Sequence, residues 1–173
     1  MLDPKIEDEL KKAFKYNVII YIALVGSVFV YAGVVEYLKP SAPQTGQVIN
    51  LSGSDTNMFR NILLVVAVLE YLFIRFFRNK LLSKKTVSPW MTTTGYTIRP
   101  LSPPVQQLLT LSIITYAICD SVVIYGFILF FLSHVTRNFY IFMVISLIFF
   151  ALFRPQYSQW TEWMESRGQD TGV

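Results

Sequence analysis

The chain has 173 residues, of which 53% are hydrophobic and only 15% are charged, and its mean hydropathy is +0.46. Because soluble domains carry about a quarter charged residues, this composition excludes an ordinary soluble protein and predicts an integral membrane protein. The net charge of +4 comes from short basic segments between apolar runs, which inform membrane topology and do not indicate nucleic-acid binding. The single cysteine, Cys119, excludes an intrachain disulfide and cysteine-based metal clusters.

The length predicts a single membrane domain over residues 1–173. Its apolar runs predict an all-α polytopic fold with four transmembrane helices, arranged as two tandem hairpins. No cleavable signal peptide is expected, because the N-terminal residues are charged and the first apolar run is too long for a signal sequence.

Residues 1–15 are predicted to form an amphipathic helix, because Ile6, Leu10 and Phe14 repeat every four residues on one face. We expect this helix to lie at the membrane interface and to lead into span one, residues 16–38; docking to a partner is the alternative. Span one contains small residues that permit close helix approach, namely Gly26, Ser27 and Gly33.

Span two covers residues 60–78, after a loop at residues 39–59 that is rich in turn-forming residues. Glu70 lies about 15 Å inside this span, near the membrane midplane. Glu36, at the end of span one, is instead expected to be solvated at the interface. A basic loop with several prolines follows span two at residues 79–106.

Span three covers residues 107–132 and carries a full acid, Asp120, at its middle. An ionised carboxylate at the centre of a bilayer is costly, so such a residue is a functional-site hypothesis by default. A short turn then leads into span four, residues 138–153.

The distribution of lysine and arginine predicts how the chain is oriented in the membrane. Lysine and arginine are concentrated in the N-terminal segment, in the 79–106 loop and at the start of the tail, residues 154–173. The positive-inside rule therefore places both termini and that loop in the cytoplasm. In the tail, Trp160 and Trp163 lie on one face of a predicted interfacial helix. The small size and the expected lack of a signal peptide favour a bacterial inner membrane.

Spans one and three indicate an internal repeat. Residues 19–38 align without a gap over residues 113–132, which lie 94 positions further on. The alignment pairs Asp120 with Gly26, so only one copy carries the acid. If the chain is duplicated, its two hairpins have the same orientation. The aligned identities are Ile19/Ile113, Ile20/Ile114, Ala23/Ala117, Ser27/Ser121, Val28/Val122, Tyr31/Tyr125 and Leu38/Leu132.

A local motif surrounds the acid. Arg99-Pro100 is followed by residues 117–126, which read AICDSVVIYG. Residues 99–132 thus resemble the proteolipid c subunits of rotary ATP synthases, which have an Arg-x-Pro loop followed by a carboxylate helix. The resemblance implies that Asp120 occupies the position of the ion-binding carboxylate. Span two has no glycine, where that family has a glycine-repeat helix, and a fourth span follows the carboxylate helix. The whole chain looks like a four-span bacterial membrane protein.

The candidate proton- or cation-binding residues are Asp120 and Glu70, with Ser121 and Tyr125 as hydroxyl ligands; Thr115 and Tyr116 are further hydroxyl candidates. Low dielectric disfavours the charged form of an acid, so we expect both acids to be protonated. Facing acids could share a proton or bind a cation. Two alternatives remain: the acids are hydrogen-bonded groups that fix helix packing, or they contact a partner's arginine or lysine.

Enzyme signatures are lacking. The single histidine, His134, has no second ligand at metal spacing, and no phosphate loop or catalytic triad is present. We therefore expect a non-enzymatic membrane subunit without a cofactor or metal, which acts in a homo-oligomer or a larger membrane complex. It would bind or conduct a proton or cation through its mid-membrane carboxylates; a purely structural or assembly role is the alternative.

Overall fold

The computed structural model describes residues 4–39, 53–83 and 102–168, which form five α-helices and no strands. The expected all-α fold is therefore confirmed for these residues. The helices are α1 (Pro4–Leu38), α2 (Gly53–Ser83), α3 (Pro103–Ser133), α4 (Thr136–Leu152) and α5 (Tyr157–Gly168).

Three of these helices, α1, α2 and α3, are long and apolar enough to cross a membrane. A fourth span is counted if α4 and α5, which are bent by 48° at a short break, are taken together. The 17 residues of α4 alone extend about 26 Å, slightly less than the roughly 30 Å hydrocarbon core. These helices indicate an integral membrane protein with three or four spans.

The helices extend beyond the predicted spans. The amphipathic segment and span one form one continuous helix, α1, from Pro4 onward, and α2 includes residues predicted as loop on both sides. The polar ends of α2 remain helical because they suit the helix dipole, with Asp55 in the first turn and Lys80 in the last. The remaining parts of both loops, residues 40–52 and 84–101, lie outside the described residues, as does the Arg99-Pro100 motif.

The central helix of the bundle is α3, which packs against α4, α1 and α2. Only His134 and Val135 separate α3 from α4, and the two helices run antiparallel. His134 has a φ of 52°, and its backbone N–H donates to the Phe130 carbonyl at the end of α3. Across the interface, the Ser146 hydroxyl donates to the Cys119 carbonyl at 2.7 Å. These contacts make α3 and α4 the most closely packed pair.

Helix α1 runs parallel to α3 in a constant register. The Ser102 backbone N–H, at the start of α3, donates to the Glu9 carboxyl at 3.1 Å. Eighteen residues further along both helices, Ser27 contacts Asp120. Eighteen residues are about five helical turns, so the two helices stay side by side over this length. The contacting residues are 93 positions apart in the sequence. This separation is one residue less than the 94-residue offset at which spans one and three align.

A cluster of buried apolar residues lies where α1 and α3 begin. The Trp160 ring of α5 is only 6% exposed and meets the Phe14 ring edge-on at 5.5 Å. The N-terminal amphipathic stripe thus packs against the C-terminal helix of its own chain, and both described chain ends lie at the same end of the bundle. The buried members of the cluster are Leu10, Ala13, Val105, Leu108, Trp160 and Met164.

Close helix approach occurs at a glycine that the sequence did not single out. A Cβ atom added at Gly26 or Gly33 would meet nothing within 4 Å, so these residues do not mediate close packing here. At Gly126 an added Cβ would lie 2.7 Å from the Phe142 Cβ and 3.0 Å from the Phe139 carbonyl oxygen. Gly126 therefore permits the close contact between α3 and α4.

Candidate functional site

The middle of α3 presents polar groups towards two different neighbours. Consecutive residues of an α-helix point about 100° apart, whereas residues i and i+4 share a face. Asp120 accordingly contacts α1, while Ser121 and Tyr125 together contact α2. Because each neighbour contributes a polar side chain at this level, the bundle contains two separate carboxyl sites.

The first carboxyl site belongs to Glu70 of α2. The Tyr125 hydroxyl lies 2.5 Å from one Glu70 oxygen, and the Ser121 hydroxyl lies 3.3 Å from both carboxyl oxygens. The three residues are partly buried. Two of the residues proposed from the sequence as hydroxyl ligands, Ser121 and Tyr125, therefore lie beside Glu70.

The second carboxyl site belongs to Asp120, whose oxygen lies 2.8 Å from the Ser27 hydroxyl of α1. From the sequence, Ser27 was expected to be a small residue that permits close helix approach, and it was not proposed as a partner of Asp120. Its role had one signal: in the internal repeat Ser27 is equivalent to Ser121. The two acids thus contact two serines that the alignment of spans one and three makes equivalent, Ser27 at Asp120 and Ser121 at Glu70.

The two serines share a second feature that bears on the proton positions. Ser27 lies 2.6 Å from the Leu24 carbonyl oxygen, and Ser121 lies 2.7 Å from the Ile118 carbonyl oxygen. A serine has one hydroxyl hydrogen and can also accept. When that hydrogen is donated to the carbonyl of its own helix, the serine oxygen can accept from a protonated carboxyl. Each serine can therefore act as donor or as acceptor towards its acid.

Within the described residues the two acids are not hydrogen-bonded to each other. Each is bonded to its own hydroxyl partners. Thr115 donates to the Leu111 carbonyl, and the Tyr116 hydroxyl accepts from Asn17. Neither of these two residues is hydrogen-bonded to an acid, although both were considered as ligands. The site consists of two hydroxyl-bonded carboxyls on different sides of α3.

No lysine or arginine forms an ion pair with Glu70 or Asp120 in the described part of the chain. Arg75 is exposed, and its guanidinium donates to the Tyr71 hydroxyl on the preceding turn. Residues 4–39, 53–83 and 102–168 also contain no group of three or more histidine, cysteine, aspartate or glutamate residues arranged to hold a metal ion. The described partners of the two acids are therefore hydroxyl groups.

Glu36, which was expected at the membrane boundary, is exposed at the opposite end of α1 from α5. Its carboxyl accepts from the Tyr140 hydroxyl at 2.6 Å and lies 3.6 Å from the Lys39 amine. These exposed contacts distinguish Glu36 from the two acids at the middle of the bundle.

No protein-family model matches the chain, and comparisons with curated proteins and with solved structures found no match either.

Proposed function

We propose that this chain is a small non-enzymatic membrane subunit, which binds and conducts protons through Asp120 and Glu70 and acts in a homo-oligomer or a larger membrane complex. The observation that carries the proposal is the bonding of each acid to hydroxyl groups rather than to a cation. A carboxyl bonded in this way can gain or lose a proton without breaking an ion pair.

The bound species in this proposal is a proton rather than a metal ion. Ca²⁺ takes about six to eight oxygen ligands and Mg²⁺ about six. Asp120 has one hydroxyl neighbour, Ser27, and Glu70 has two, Ser121 and Tyr125. These few oxygens suit a proton carried by the carboxyl itself, since one hydroxyl is enough to accept the hydrogen bond of a protonated carboxyl. The resemblance of residues 99–132 to proteolipid c subunits supports the same role for Asp120.

The proposed topology is two tandem hairpins with both termini in the cytoplasm of a bacterial cell. Support comes from the parallel directions of α1 and α3 and from the packing of α5 beside the start of α1. A test uses single cysteines in a Cys119→Ser background. Lys5→Cys and Ser158→Cys should react with an impermeant reagent from one side of the membrane, and Asp55→Cys from the other. Labelling of Lys5→Cys and Ser158→Cys from opposite sides would exclude this topology.

The proton-binding proposal is tested with dicyclohexylcarbodiimide, which modifies protonated carboxyls in an apolar environment. We expect labelling at Asp120 and Glu70, and loss of each label in Asp120→Asn and Glu70→Gln. Exposed Glu36 is the matched control and should stay unlabelled. Proton flux into liposomes should fall in both variants. No labelling at Asp120, together with unchanged flux in Asp120→Asn, would refute the proposal.

The second candidate is a structural or assembly subunit, whose acids serve packing. The observation in its favour is that each acid joins α3 to a different helix: Glu70 to α2, and Asp120 to α1. The amide of Asn or Gln can both donate and accept, so the amide variants should keep these links while removing the titrating proton. Normal assembly and normal flux in both amide variants would favour this structural role.

A further inference from the structure

A cleft separate from the two carboxyl sites lies at the end of the bundle that carries α5. It is formed by the C-terminal part of α2, the first half of α3 and the break between α4 and α5. Its volume is about 30 Å³, enough for about two water-sized groups. Its polar lining includes Arg78, Arg154, Gln156, Gln159, Ser112 and Tyr116.

The lining of the cleft is rich in hydrogen-bond donors. Arg78 donates to the Gln159 side-chain oxygen at 3.2 Å, and its guanidinium carbon lies 5.6 Å from the centre of the Phe153 ring. A guanidinium has five N–H donors, so the bond to Gln159 leaves most of them available. Arg154, at the α4–α5 break, brings a second guanidinium to the same cleft.

Among the described residues, no acid lines the cleft or pairs with these two arginines. The lining contains no aspartate or glutamate, and the ion pairs of the described residues involve neither Arg78 nor Arg154. The cleft is therefore a place where two cations converge beside neutral donors, an arrangement that favours an anion.

The position of the cleft along α2 indicates its depth in the membrane. Arg78 is eight residues beyond Glu70 on α2, a distance of about 12 Å along the helix axis. If Glu70 is near the midplane, Arg78 is near the edge of the roughly 30 Å hydrocarbon core. Trp160, which also lines the cleft, belongs to a residue type common at this level. The cleft thus opens at the height of lipid headgroups.

We propose that this cleft binds a phosphate group, presented by the headgroup of an anionic lipid. Planar guanidinium groups match phosphate oxygens in pairs, and the Gln156 amide supplies a further donor. The cleft admits one or two phosphate oxygens while the remainder of the lipid stays outside it. Because Arg78 and Arg154 do not contact Asp120 or Glu70, this site is independent of proton binding.

The experiment measures thermal unfolding of the whole protein in a neutral detergent at constant ionic strength. Three additives are titrated: phosphatidylglycerol, diacylglycerol with the same acyl chains but no phosphate, and inorganic phosphate. Native mass spectrometry of the same samples counts the retained lipid. The variants are Arg78→Gln and Arg154→Gln. Arg137→Gln, which removes an equally positive exposed side chain at the opposite end of the bundle, is the matched control.

Phosphatidylglycerol should raise the unfolding temperature and be retained, whereas diacylglycerol should do neither. Each of Arg78→Gln and Arg154→Gln should raise the phosphatidylglycerol concentration needed for half of the stabilisation about tenfold, because a charge-assisted hydrogen bond is lost. Arg137→Gln should leave this concentration unchanged. A response to inorganic phosphate at matching concentration would support the phosphate site and assign a free anion as its source. Equal stabilisation by diacylglycerol and phosphatidylglycerol, no response to any phosphate, or an equal loss in Arg137→Gln would overturn the proposal. Arg154 is exposed, so its variant should fold even if Arg78→Gln does not.

Discussion

The Ser27 hydroxyl of α1 lies 2.8 Å from the Asp120 carboxyl of α3 and links these parallel helices at the middle of the bundle. Ser27→Ala removes the described partner of Asp120 and should lower the free energy of unfolding by about 1 kcal/mol, a typical value for a hydrogen bond within a membrane protein. Equilibrium unfolding in mixed micelles measures this change. The control is Ser133→Ala, because the Ser133 hydroxyl makes only local bonds, to the Leu129 carbonyl and the Val135 N–H. Equal losses in the two variants would contradict a special role for Ser27.

Tyr125 makes a shorter contact with Glu70 than Ser121 does, at 2.5 Å against 3.3 Å. If Glu70 is protonated, as proposed, Tyr125→Phe should therefore shift its infrared carbonyl stretch more than Ser121→Ala does, because stronger hydrogen bonds are shorter. The band is assigned by its loss in Glu70→Gln and its persistence in Asp120→Asn. A larger shift in Ser121→Ala than in Tyr125→Phe would show that serine is the principal partner.

Gly126→Ala should destabilise the protein, since the new Cβ would lie 2.7 Å from the Phe142 Cβ. Forcing a methyl group into such a contact costs about 1–3 kcal/mol. Gly26→Ala is the control, because a Cβ there meets nothing within 4 Å, and it should be neutral or stabilising in keeping with the helix propensity of alanine. Unfolding of both variants in mixed micelles gives the difference, and a loss in Gly26→Ala as large as that in Gly126→Ala would refute this account.

The Phe14–Trp160 contact should hold α5 against the start of α1. A double-mutant cycle with Phe14→Ala and Trp160→Ala should give a coupling of about 0.5–1.5 kcal/mol, typical of an aromatic pair. Hydrogen exchange should rise across α5 in either single variant. Tyr16→Ala provides the control, because Tyr16 is 62% exposed. No coupling between Phe14 and Trp160 would mean that other contacts position α5.

The presence of the helices could be read from the sequence, whereas their ends and mutual contacts could not. Long apolar runs specify spanning helices, but the polar ends of α2 also stay helical, as Asp55 and Lys80 illustrate. On α3 apolar residues occur on every face, so composition does not distinguish the face that packs on α4 from the face that meets lipid. Gly126 was consequently overlooked, because its importance depends on the position of Phe142 on another helix.

Of the candidate site, the sequence could predict which residues share a face of one helix, but not which neighbouring helix that face contacts. The i, i+4 spacing puts Ser121 and Tyr125 on one face of α3, and both contact Glu70 in the structure. The partner of Asp120 depends on the parallel packing of α1 against α3, which no single-helix pattern encodes. Only the repeat alignment, which pairs Gly26 with Asp120, placed Ser27 next to the correct position.

The central position of α3 also has a consequence for biogenesis. The ribosome makes α1 and α2 first, and in the described residues both helices find their main packing partner in α3. Until α3 is made, α1 and α2 therefore lack the helix that provides most of their packing contacts. When α3 is inserted, the Ser27 hydroxyl is already in the membrane to receive Asp120, and Glu70 is already there to meet Tyr125. The insertion of α3, with its costly acid, thus supplies the partner of both N-terminal helices, and α4, which packs most closely on α3, completes the bundle.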